Sequence, residues 1–141
     1  MIFIREFCYP QDYSAVRALW ENIERGVRLG RSDTAEEIDK KAAHDPVLFL
    51  LAETDDKIVG TVIGGYDGRR GLLYHLAVAQ TYRYQGIGGQ LMDEIEKRLH
   101  AKGCLKCYLL VTTENDEAMH YCEKRGWERM EAVRLYGKEF R

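Results

Sequence analysis

Between Leu72 and Leu91 the chain reads LLYHLAVAQTYRYQGIGGQL, an apolar strand that runs into a glycine-rich turn and opens a long helix, roughly Gly86 to Gly103. The first amides of such a helix have no intrahelical partner and the helix dipole adds partial positive charge, so the junction is suited to an anion and a phosphorylated ligand is expected. Arg83, Gly86 and Gly88 form R-x-x-G-x-G, followed by Gly89. Glycine at these positions lets the backbone turn sharply and leaves no Cβ in the way of a pyrophosphate. A dinucleotide fingerprint would need glycine where Leu91 stands and an acidic residue near Lys106 and Cys107. A nucleotide P-loop would end in G-K-[ST], and this turn ends in Gly88, Gly89 and Gln90. The remaining alternative is a turn whose glycines only save space.

Composition narrows the class. With 141 residues, 45% of them apolar, the chain can bury one sizeable core, and a single domain over 1–141 is expected. A formal net charge of −2 gives no broad footprint for nucleic acid or an anionic membrane. No apolar run approaches about 18 residues and MIFIREF lacks a signal-peptide pattern, so a cytoplasmic protein is expected. Cys8, Cys104, Cys107 and Cys122 make no disulfide framework. Cys104 and Cys107 supply only half of a zinc spacing, so no metal is expected.

Periodicity gives the element order. Ile2–Phe7 alternates like a strand; from Gln11, Val16, Leu19, Trp20 and Ile23 fall at helical spacing, which Gly26 and Gly30 break. Thr34 and Glu37 read as a capping box for a second helix ending near His44. Strands follow at Val47–Glu53, Lys57–Gly65 and Leu72–Val78, then the long helix, a strand at Leu105–Val111 and a helix at about Asn115–Arg125. Two short strands are expected around Trp127–Met130 and Val133–Phe140. The order implies an α/β class, a mixed twisted sheet with helices on both faces.

These motifs resemble the Gcn5-related N-acetyltransferase (GNAT) superfamily. Its acetyl-CoA motif is matched by Leu76-Ala77-Val78 and then Arg83-Tyr84-Gln85-Gly86-Ile87-Gly88, and its N-x-x-A-x-x-F-Y-E-K-x-G-F element by Asn115 to Trp127. The segment Gly60 to Gly71 is similar to a bacterial branch of small acetyltransferases that carry G-T-x-x-G-G-Y-D-G-x-R-G. The resemblance implies the GNAT fold and acetyl-CoA as co-substrate. It also implies transfer to a primary amine of a small molecule or peptide by direct attack, or else a non-catalytic acyl-CoA-binding domain of the same fold. Relatives are commonly homodimers, but no dimer face can be isolated in this sequence.

The resemblance also distributes roles. The amides of Tyr84 to Gly89 would cradle the pyrophosphate beside Arg83. Leu76, Ala77 and Val78 would pair with pantetheine through the backbone, and an N–H there would polarise the thioester carbonyl. Asn115 would bond the pantetheine arm, cap its helix, or do both. Many relatives place an acidic Tyr where this chain has Cys122. Tyr121 falls one residue early, about 100° around the helix, and is expected to pack into the core while Cys122 faces the CoA sulfur, as a weak acid or a small hydrophobe. Some relatives use a Glu as base where Leu110 stands.

For the base, His75 has an intrinsic pKa suited to neutral pH, although a strand His is often a structural donor. Alternation suggests that only one of Tyr74 and His75 looks into the cleft. Glu114, Asp67 and Tyr66 are weaker candidates. Arg28 and Arg31, with Arg25, could engage an anionic group on the acceptor or form a solvated basic loop. Asp33, Glu36, Glu37 and Asp39 would suit a polyamine instead.

Overall fold

A computed structural model describes residues 1–23 and 27–141; the break expected at Gly26, and Arg25 of the basic loop, lie outside the described residues. Strands β1 (Phe3–Glu6), β2 (Phe49–Thr54), β3 (Lys57–Tyr66), β4 (Gly71–Val78) and β5 (Cys107–Leu109) form a sheet in sequence order. The first four make an antiparallel meander and β5 joins β4 in parallel. Two of its turns follow from local chemistry. Asp55 and Asp56 take φ of 52° and 57°, as a two-residue hairpin between right-twisted strands requires. Asp67 Oδ1 accepts from the amides of Arg69 and Arg70 at 2.7 and 2.8 Å and folds the β3–β4 turn.

Helices α1 (Tyr13–Glu21) and α2 (Ala35–His44) cover one face, and α3 (Ile87–Ala101) covers the other. Strand alternation separates the two cores: Phe49, Leu51 and Ile63 pack with Val16, Trp20 and Ile38, while Leu48, Leu50, Val62 and Leu73 pack with Ile87, Leu91, Met92, Ile95 and Leu99. A side chain at Gly60 would put its Cβ 3.0 Å from Leu91 Cδ1, so this glycine sets how closely α3 approaches β3. Leu91 is wholly buried. Leu91→Ala is therefore expected to cost about 2–5 kcal/mol, read as a lower denaturation midpoint at unchanged slope.

Thr34 caps α2 as read, its Oγ1 accepting from Glu37 N at 3.3 Å, but Glu37 turns its carboxylate to Lys40 rather than closing the box. The two expected terminal strands do not form: after α4 (Asp116–Lys124) the described chain holds no helix or strand. Between Trp127 and Phe140 the apolar residues are separated by charged ones, and Val133, Leu135, Tyr136 and Phe140 remain exposed. The end of the segment is held by side chains instead. Arg31 bonds Glu139 at 3.3 Å and the Phe140 carbonyl at 3.0 Å.

Candidate active site

The cleft begins where β4 loses one neighbour. Residues Gly71–Leu73 pair with β5, whereas Tyr74–Val78 keep only β3, so the far end of β4 has a free backbone edge. On the β3 side the register slips between Thr61 and Ile63, a bulge in which two β4 residues, His75 and Leu76, oppose one. His75 takes φ of 52°, a conformation uncommon for a non-glycine residue. Thr61 Oγ1 donates to the His75 carbonyl at 2.9 Å and accepts from Trp20 Nε1 at 2.9 Å, which fixes the bulge from the α1 face.

That conformation changes which side chains meet. Alternation would send Tyr74 and His75 to opposite faces; with His75 left-handed, both line one groove of about 1020 Å³ beside the 3₁₀ turn Arg31–Asp33 and α2. His75 Nε2 lies 2.8 Å from Asp33 Oδ1, and the imidazole edge packs on Trp20 with ring centroids 4.8 Å apart. Asp33 is 6% exposed, and its Oδ2 accepts from Gly30 N at 2.9 Å. Burial opposes its ionisation, but the bonds from His75 and Gly30 and the charge of Arg17 outweigh it and hold the carboxyl below its ordinary range. Burial, with Asp33 and Asp45 nearby, pushes the Tyr74 phenol up to about 12.

Beyond Val78 the turn is built for backbone exposure. Tyr84 and Gly86 take φ of 64° and 82°, and the amides of Ile87, Gly88 and Gly89 open α3 with no protein partner among the described residues. Arg83 Nε donates to the Val78 carbonyl at 3.1 Å, tying strand to turn. Gln85 continues the turn, and the Tyr84 hydroxyl donates to Glu117 Oε1 on α4 at 3.2 Å.

Helix α4 closes this side. Asn115 Oδ1 accepts from Ala118 N at 3.2 Å, capping the helix, while its amide nitrogen makes no bond among the described residues. A Cβ at Gly88 would lie 3.3 Å from Tyr121 Oη, so the phenol sits against the first turn of α3. That buried hydroxyl has no hydrogen-bond partner among the described residues. Arg125 lies 5.8 Å from the centre of its ring.

Residues 13–127 match the profile of the Acetyltransferase (GNAT) family. The chain belongs to the GNAT family. It is 40% identical over 127 residues to "Acetyltransferase SG1711" of Sodalis glossinidius (strain morsitans), across 90% of this chain and 88% of that protein. Among solved structures, Ard1 from Thermoplasma volcanium superposes with a TM-score of 0.77 at 26% identity, covering 89% of this chain and 81% of that one. The PaiA N-acetyltransferase from Thermoplasma acidophilum, solved with coenzyme A, superposes at 0.79 with 21% identity, covering 94% and 93%.

Within this GNAT domain, Tyr121 packs against the α3-side core as expected, and Cys122 is buried as a small hydrophobe. Cys122, not Tyr121, is the more deeply buried of the pair. It lines a separate groove of about 820 Å³ between β5 and α4 with Cys107, Leu109 and Trp127. Tyr121 and Arg125 share the stripe toward α3, and Cys122 points past it. Burial raises the thiol of Cys122, and the groove it lines is apart from the first turn of α3.

Arg28 and Arg31 do line the His75 groove, but neither is an uncompensated charge. Arg28 bonds Glu114 at 2.9 Å and Arg31 bonds Glu139 at 3.3 Å. These exposed pairs contribute little to stability. The double variant Arg28→Ala/Arg31→Ala is expected to shift stability by less than about 1 kcal/mol and to leave the acceptor KM essentially unchanged; a marked rise in KM would support recognition of an anionic group on the acceptor.

Of the weaker base candidates, Glu114 is paired in this way, Asp67 is committed to its turn, and Tyr66 packs on the α3-side core. Leu110 is 43% exposed and offers no base. No described group of His, Cys, Asp and Glu is arranged to hold a metal, and no described helix is long and apolar enough to cross a membrane.

Proposed function

We propose that this GNAT acetyltransferase uses acetyl-CoA as co-substrate and acetylates a primary amine by direct attack in a ternary complex. The observation that carries the reading is the continuity of the free edge of β4 at Leu76–Val78 with the glycine turn and the unpartnered amides of Ile87, Gly88 and Gly89. A thioester with a pantetheine arm and a pyrophosphate fits that path. Backbone groups of Leu76, Ala77 and Val78 can meet the amides of the arm, and the α3 terminus can meet the phosphates. Arg83 contributes positive charge at the mouth of the turn. Asn115 retains an amide donor for the arm while its oxygen caps α4. The coenzyme A bound in the Thermoplasma acidophilum structure supports the same cofactor class here.

The acid and base come from opposite sides of β4. His75, on the α2 side, is the group able to take the amine proton as the N–C bond forms. Tyr121, beside the first turn of α3, stays protonated at neutral pH because burial raises its phenol, so its hydroxyl can hydrogen-bond to the departing thiolate. Tyr121→Phe is expected to lower kcat about tenfold or more with little change in acetyl-CoA affinity, measured by thiol release. An unchanged kcat would remove Tyr121 from the mechanism.

The direct test is acetyl-CoA with a panel of amino acids, polyamines, aminoglycosides and peptides, each product weighed by mass spectrometry. Amine-dependent thiol release with a gain of one acetyl group supports the reading. Tight acetyl-CoA binding with silence across the panel would favour a non-catalytic acyl-CoA-binding domain.

A further inference from the structure

Asp33 and His75 are 42 residues apart in sequence yet share a 2.8 Å contact inside the groove, on a residue held in a left-handed conformation. Several independent contacts converge on that pair. Gly30 N fixes the second carboxylate oxygen at 2.9 Å; Tyr13 Oη and Arg17 Nη1 donate to the Asp33 carbonyl at 2.8 and 3.1 Å. Thr61 and Trp20 hold the bulge from the other side. A buried salt link needed only for stability would not require a backbone outlier, which costs on the order of 1–3 kcal/mol and persists where the surroundings over-determine it.

We infer that Asp33 is a positioning residue: it holds His75 as the Nε2–H tautomer and leaves the Nδ1 lone pair as the proton acceptor in the groove. The inference rests on His75 as the base of the proposed acetyl transfer. A carboxylate accepts a proton and cannot donate one, so the nitrogen facing it carries the hydrogen in the neutral ring. Nδ1 has no protein hydrogen bond among the described residues and is not sealed from the groove. During transfer the amine nitrogen bonds the acetyl carbon, the C–S bond breaks, the amine proton passes to Nδ1 and the thiolate leaves. Asp33 remains ionised and stabilises the imidazolium. Tyr74, Arg28, Arg31 and Glu139 also face the groove, but none bonds the imidazole.

The test reads the tautomer apart from activity. Long-range proton–nitrogen spectra of protein labelled with ¹⁵N-histidine, taken well above the ordinary imidazole range of about 6.5, report which nitrogen is protonated. His75 is assigned by the signals lost in His75→Asn. The expected wild-type form is Nε2–H. Asp33→Asn should shift it toward Nδ1–H and lower kcat about 10²-fold, with the KM for acetyl-CoA unchanged, for the amine that the panel identifies. A wild-type Nδ1–H tautomer would overturn the proposal even if no Asp33 variant folds, and so would unchanged kcat in a folded Asp33→Asn. A protein that acetylates no amine but shows the Asp33-dependent Nε2–H form would refute the reaction and leave the positioning supported.

Discussion

His75→Asn is expected to lower kcat for amine acetylation by about 10²- to 10⁴-fold while leaving acetyl-CoA binding intact. Asparagine is chosen because it tolerates the left-handed region far better than most residues, so the substitution removes the imidazole without adding strain at φ 52°. The Thr61 bond to the backbone carbonyl at this position is retained, and the bulge should stay in place. What is lost is an imidazole that lines the groove, together with the partner of a buried carboxylate. Some loss of stability is expected from leaving Asp33 without its donor, on the order of 1–3 kcal/mol, so the variant should be assayed well below its melting temperature. Steady-state thiol release against an active amine, with acetyl-CoA affinity measured in parallel, separates the two effects. Full activity in a folded His75→Asn would mean that the amine loses its proton by another route, such as water.

Gly88→Trp is expected to weaken acetyl-CoA by more than about 10²-fold, because it acts on the amides proposed to receive the phosphates rather than on the proposed acid–base groups. Gly88 sits on the first turn of α3, where even a Cβ would approach Tyr121 Oη to 3.3 Å. Titration calorimetry with a thermal melt for folding reads the outcome. Wild-type affinity in a folded Gly88→Trp would place the phosphates elsewhere.

The strand, turn and helix from Gly71 to Ala101 were legible in the sequence because short-range rules specify them: an apolar run, a glycine at 86 where φ turns positive, and apolar residues at helical spacing. The cap at Asn115 was legible for the same reason. The contact between His75 and Asp33 was only half legible. His75 could be named as a titratable residue on the right strand, but the bulge that turns it toward α1 comes from Thr61 and Trp20, and its partner Asp33 arrives from a loop. Asp33 stood out only as one of several acidic residues near a helix start. Its distinguishing signal was its place one residue ahead of the Thr34 cap. The packing of Tyr121 toward α3 was legible from a motif offset of one residue, a rotation of about 100°; the groove that Cys122 lines was not, because it depends on how α4 docks. The terminal strands were expected from their apolar residues, yet charges between those residues and the grip of Arg31 on Glu139 and Phe140 draw that segment toward the groove.

The central claim, that the free edge of β4 and the amides opening α3 receive an acyl-CoA, is tested most directly by calorimetric titration of the wild-type protein with acetyl-CoA and, separately, NADPH. The account predicts saturable acetyl-CoA binding at one site per chain in the micromolar range, about −8 kcal/mol, and no NADPH binding. A folded protein that binds no acetyl-CoA, or that prefers NADPH, would contradict it.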